Sequence, residues 1–194
     1  METKAWCAAP WKAAAQVSAD EQAKAVLPVA AAPGAATDDL PACDSPREGT
    51  PLGAIHNNCS GKHCGFLSSA RHLGLTTEGY ISKEHPIQQA VLSLIGEMAD
   101  VSLDAAPGGI DGCGIPVAGI PLQSLALAFA RFATGTGLSP TRQSAADRIY
   151  RAMIHKPFMV AGTDRWCTRA MEAGGGAFIV KTGAEGVYCG AVPE

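Results

Sequence analysis

Apolar residues recur at helical spacing in three stretches of the chain. Across residues 85–101 (HPIQQAVLSLIGEMADV) Ile87, Val91, Leu94, Ile95, Met98 and Val101 fall at helical spacing, and Pro86 suits a first helical turn. Residues 122–134 (LQSLALAFARFAT) are apolar nearly all round, which predicts a buried helix. Residues 141–155 (TRQSAADRIYRAMIH) predict a third, more amphipathic helix. Near the end the period changes. Short apolar runs at 177–180 and 187–192 flank a glycine-bearing turn at 182–186, the pattern of a β-hairpin. A shorter helix is predicted over 17–27, with Ser18 as N-cap, Glu21 in capping-box spacing and Pro28 as the stop. Helices combined with a terminal hairpin predict an α/β (α+β) domain.

The organisation follows a change in composition near residue 50. Residues 1–50 are rich in Ala and Pro and predict a loosely ordered N-terminal segment; residues 51–194 carry the periodic elements and predict the domain proper. A length of 194 residues suits a single domain, and 47% hydrophobic against 17% charged residues excludes a highly charged disordered chain. Fifteen Lys and Arg against eighteen Asp and Glu give a net charge of −3, which implies no basic field for nucleic acid. The chain has no run of about 18 uninterrupted apolar residues, so no membrane-spanning helix and no membrane partner are expected. The cysteines number seven, an odd count that argues against a complete disulfide framework. The apolar stretch at 25–36 follows Asp20 and Glu21 instead of a basic start and is broken by Pro28, Pro33 and Gly34, unlike a secretion signal. A cytoplasmic protein is expected.

Three clusters could carry chemistry. The first is His56-Asn57-Asn58-Cys59-Ser60-Gly61-Lys62-His63-Cys64, in which Cys59 and Lys62 would share one face of a helical turn. It reads either as a polar helix start with a buried thiol or as a metal or nucleophile site. The second is the glycine-lined bend 108–116, with Cys113 two residues after Asp111; a tight strand-to-helix turn explains it equally well. Cys59 and Cys113 are too distant in sequence for a local zinc-knuckle pattern, so spacing does not pair them. The third is Lys181-Thr182-Gly183, directly after Phe178-Ile179-Val180. A K-T-G at a strand edge lines the active site of serine β-lactamases and penicillin-binding proteins, although the triplet alone is weak. Its S-x-x-K companion is absent, since no serine in the chain has lysine three residues later. The only nucleophile-type residue with that spacing is Cys59, ahead of Lys62. His72, His85 and His155 are expected to cap helices or lie on the surface.

Five ordered motifs resemble one family. They are HNNCSGKHCGFL at 56–67, EHPIQQAV at 84–91, DGCGIP at 111–116, PFMVAG at 157–162 and VKTGAEGVYCGAVPE at 180–194. Together they are similar to the thermolabile, rhizobial-type L-asparaginases. The resemblance implies a serine β-lactamase-like fold, with helices packed on an antiparallel sheet. It implies hydrolysis of L-asparagine to L-aspartate and ammonia, with a zinc ion beside the reaction centre. Carried over by motif, Cys59, Lys62 and Cys113 look like the zinc ligands. His63 and Asp111 look like groups holding the substrate or the metal shell, and Lys181 looks like the lysine that activates the nucleophile.

The chain departs from the family in residues 1–54, where neither the S-x-x-K stretch nor the second serine is recognisable. The family also continues past the point where this chain stops, so a member truncated at both ends is expected. A homodimer would cover a sheet edge left open in that way. Three readings follow: an L-asparaginase, a catalytically inactive zinc-binding remnant, and a cysteine amidohydrolase using Cys59.

Overall fold

The computed structural model describes residue 57 and residues 59–184 and 186–193. The helix expected over 17–27 and the segment 1–50 lie outside the described residues, as does His56. Helices and small antiparallel sheets make up a mixed α/β fold. The chain divides into two compact units, with one boundary between Ser93 and Leu94.

The first unit contains α1 (Ser60–His72), the first half of α2 (Pro86–Ala99), and the strands β1 (Gly108–Ile110) and β2 (Pro116–Ala118). Helix α1 ends in a left-handed cap. Gly74, at φ 69°, donates to the Arg71 carbonyl at 3.1 Å, and Leu75 donates to that of Ala70 at 2.9 Å. The two bonds satisfy carbonyls that the last turn would otherwise leave bare, and they fold Leu75 back onto the core. That core consists of Leu67, Ala70, Tyr80 and Ile87, with Phe66, Leu75 and Ile81 packed around it. Helix α2 starts where Pro86 predicts, and the buried His85 supplies the missing cap. Its Nδ1 accepts the Ile87 N–H at 3.1 Å, and its Nε2 donates to the Thr76 carbonyl at 3.1 Å. His85 therefore has the capping role expected of it. Strands β1 and β2 pair antiparallel with Gly109 opposite Val117, so the 108–116 bend is the tip of a hairpin, not a strand-to-helix turn.

The second unit holds the end of α2, then α3 (Leu122–Thr134), α4 (Pro140–His155), α5 (Pro157–Ala161), α6 (Trp166–Ala173), β3 (Ile179–Thr182) and β4 (Tyr188–Ala191). The Ser139 hydroxyl caps α4 by accepting the Arg142 N–H at 3.4 Å, with Pro140 in the first turn. Gly135, at φ 71°, ends α3. The core is formed by Tyr150, Cys167, Met171, Ile179 and Ala191, with Phe129 and Phe132 of α3 against it. Helix α3 is less buried than its composition predicts. None of its residues is fully buried, and Leu122 is 79% exposed, because the apolar residues encircle a helix that packs along only one side. The expected terminal hairpin forms, with Lys181 opposite Cys189.

Candidate functional site

The tip of the β1–β2 hairpin faces the first turn of α1. Asn57 Oδ1 accepts the Cys59 N–H at 2.8 Å and fixes the entry to the helix, so that Cys59 stands at its N-cap. In the hairpin tip, Gly114 donates to the Asp111 carbonyl and Asp111 donates to that of Ile115, each at 2.8 Å. The turn closes through Gly114 at φ 88°, a conformation costly for any residue with a Cβ. This geometry leaves Cys113 buried and turns Asp111 toward α1.

The two elements bring together residues that spacing alone could not pair. One ligand atom each from Cys59, Asp111 and Cys113 lies within 4.8 Å of the other two. Lys62 Nζ donates to Asp111 Oδ2 at 2.9 Å, and the Cys113 thiol donates to the same oxygen at 3.4 Å. Asp111 Oδ1 accepts the Gly112 N–H at 2.7 Å.

The electrostatics follow from this packing. Burial alone would lower the Lys62 pKa, but hydrogen bonds to Asp111 and Cys113 and the nearby Cys59 outweigh it and push it up to about 12. Lys62 is accordingly an ammonium at neutral pH, with no lone pair to offer. The Lys62 charge holds the Asp111 carboxyl below its ordinary range. Burial raises the Cys113 thiol, an effect that Lys62 partly opposes.

His63 follows Lys62 on α1, is 2% exposed and packs edge-on against the rings of Phe66 and Tyr80. Its Nδ1 is hydrogen-bonded to the Tyr80 hydroxyl, and its Nε2 is buried with no partner among the described residues. Burial first, and then the Lys62 charge, lower its pKa and keep the ring neutral.

The family model of L-asparaginase II matches residues 29–194. The chain belongs to the L-asparaginase II family. That match reaches back past residue 56, where the ordered motifs begin. No curated protein matches the chain.

Five of the six family-type residues, Cys59, Lys62, His63, Asp111 and Cys113, therefore fall within one unit of this asparaginase-family chain. The sixth, Lys181, belongs to the second unit, on β3. It is exposed, and its Nζ donates to the Thr182 carbonyl at 2.6 Å. The strand beneath it is tied to α6, since the Thr182 N–H donates to the buried Cys167 Sγ at 3.3 Å. Asp111, which the resemblance gives as a group holding the substrate or the metal shell, stands among the candidate donor atoms themselves. One contribution had no sequence signal: Tyr80 reaches His63 across 17 residues with no motif to announce it.

Proposed function

We propose that this asparaginase-family chain hydrolyses L-asparagine to L-aspartate and ammonia, and that its cysteine cluster holds a zinc ion. The observation that carries the reading is the convergence of Cys59, Asp111 and Cys113 donor atoms within 4.8 Å, in a chain of this family. Two thiolates and a carboxylate suit zinc, which sits about 2.0–2.3 Å from such donors. Cys59 and Cys113 would supply two ligands and Asp111 a third. Lys62 would be a ligand, as the resemblance implies, only after giving up its proton. A bound zinc ion would supply positive charge beside the substrate amide.

The chain's own residues would do the rest. Amide hydrolysis needs an activated nucleophile and stabilisation of the developing oxyanion. Lys181 would accept the proton of the attacking group, for which it must be neutral. The serine β-lactamase-like architecture belongs to the same reading. One observation favours a second reading, a zinc-binding protein without turnover: no serine in the chain is followed three residues later by lysine.

Ammonia release from L-asparagine, measured alongside the zinc content of the purified chain, separates the two. Turnover that disappears in Lys181→Ala is the expected result. About one zinc per chain with release no greater than that of Lys181→Ala would establish the second reading. A folded chain that takes up no zinc would overturn the metal assignment.

A further inference from the structure

Tyr80 is 3% exposed, yet neither the metal cluster nor the hydrolysis just proposed uses it. Its hydroxyl meets His63 Nδ1 and has no other partner among the described residues. The phenol must place its proton somewhere, because a buried hydroxyl without an acceptor is costly. Nδ1 is the acceptor at hand. If the phenol donates to Nδ1, the single proton of the neutral imidazole must sit on Nε2. Nε2 is the buried atom that lacks a partner. It is not part of the cation cluster either, since among the described residues the converging donor atoms come from Cys59, Asp111 and Cys113. A buried N–H with no acceptor among the described residues is suited to an acceptor oxygen on a ligand.

We propose that Tyr80 is a positioning residue, which holds His63 in the tautomer that presents Nε2–H to a carboxylate or carbonyl oxygen of the substrate. The proposal rests on the L-asparagine reading for the ligand but not for the tautomer. Tyr80 is itself held in place. The buried Gln88 donates from Nε2 to its backbone carbonyl at 2.9 Å. Its ring packs edge-on against His63, with centroids 5.7 Å apart and planes at 89°. The imidazole is therefore clamped in plane and in tautomer, which removes part of the ordering cost of binding.

Nitrogen-15 NMR of the histidine side chains tests this on the full chain, with the His63 signal assigned from His63→Asn. The expected wild-type spectrum shows His63 protonated on Nε2, and L-asparagine or L-aspartate shifts that nitrogen. Tyr80→Phe keeps the ring and removes only the hydroxyl. It should let both tautomers appear and raise KM for L-asparagine about tenfold, with kcat within about threefold. A role confined to packing would leave the tautomer unchanged. Wild-type His63 protonated on Nδ1 overturns the proposal, as does a Tyr80→Phe protein with unaltered tautomer and KM. Should Tyr80→Phe fail to fold, the wild-type spectrum still decides. A wild-type chain that releases no ammonia overturns the substrate reading, while a tautomer released in Tyr80→Phe still upholds the positioning role.

Discussion

Lys62 and Asp111 stand 49 residues apart in the chain, yet their ammonium and carboxylate meet at 2.9 Å. Both side chains are more than a third exposed, so solvent screens the pair and its direct contribution to stability is small. Its value is local: it orients the carboxylate against Cys113. Asp111→Asn should therefore change folding stability by less than about 1 kcal/mol. It should weaken zinc binding by at least about 10–100-fold, the range typical when only a ligand's supporting partner is altered. Chemical denaturation and a competitive zinc indicator would measure the two effects. A large stability loss with unchanged zinc affinity would contradict this division.

On the proposed zinc assignment, uptake of the ion should release protons. Burial raises the Cys113 thiol above its ordinary value, so at neutral pH it is protonated before a metal arrives. Zinc binds the thiolate, so the proton must leave and the apparent affinity must rise with pH. Calorimetric titration in two buffers of different ionisation enthalpy would read the proton count. Heats identical in both buffers would exclude thiolate ligation.

The tip of the β1–β2 hairpin depends on one glycine. A Cβ at Gly114 would meet only the Ile81 Cδ1 at 3.8 Å, an ordinary contact, so crowding is not the obstacle. The obstacle is φ 88°, which costs an L-residue about 1–2 kcal/mol. Gly114→Ala should lose about that much stability and, because Cys113 precedes it, should also weaken zinc binding. If thermal denaturation shows no loss, the turn relaxes without strain.

The sequence carried the elements whose evidence is local. Pro86 with Ile87, Val91 and Leu94 marks α2, and Ser139 with Pro140 caps a helix that sequence periodicity already places at 141–155. The terminal hairpin was legible from two apolar runs around Gly183 and Gly186. Helix α1 was visible only as a turn shared by Cys59 and Lys62, because its apolar residues are few and its stop signal is the Gly74 cap. Helix α3 shows the opposite failure: apolar residues all round it predict burial, but burial depends on what packs there. The meeting of Cys59 with Cys113 is a tertiary fact, as is Tyr80 beneath His63. Only the family resemblance pointed to the first pair, and nothing in the sequence pointed to the second.

His85 should be worth more than a surface histidine. It is 8% exposed and holds two backbone groups, the Ile87 N–H at the start of α2 and the Thr76 carbonyl. His85→Ala would leave both without partners in a place that water reaches poorly. A loss of about 1–3 kcal/mol is expected in urea denaturation, more than an exposed N-cap typically costs. A loss within experimental error would mean that solvent already reaches both groups.

Tyr150 offers a prediction of the opposite sign. Its ring belongs to the second core, against Phe132 and among Cys167, Met171 and Ile179, and it is 5% exposed. Its hydroxyl is buried with no partner among the described residues. Folding thus strips a hydroxyl of water and returns nothing, a penalty of about 1–3 kcal/mol when a polar group is left unsatisfied. Tyr150→Phe keeps the ring and removes the penalised atom, so it should stabilise the protein by about 1 kcal/mol. Burial also raises the Tyr150 pKa. The unfolded phenol therefore ionises before the folded one, and the wild-type protein loses stability as pH rises above about 10. The Phe variant cannot ionise there, so its advantage should widen in the same range. Urea denaturation of both proteins at pH 7 and at alkaline pH measures this directly. If Tyr150→Phe is instead less stable than wild type at pH 7, the hydroxyl has an acceptor after all.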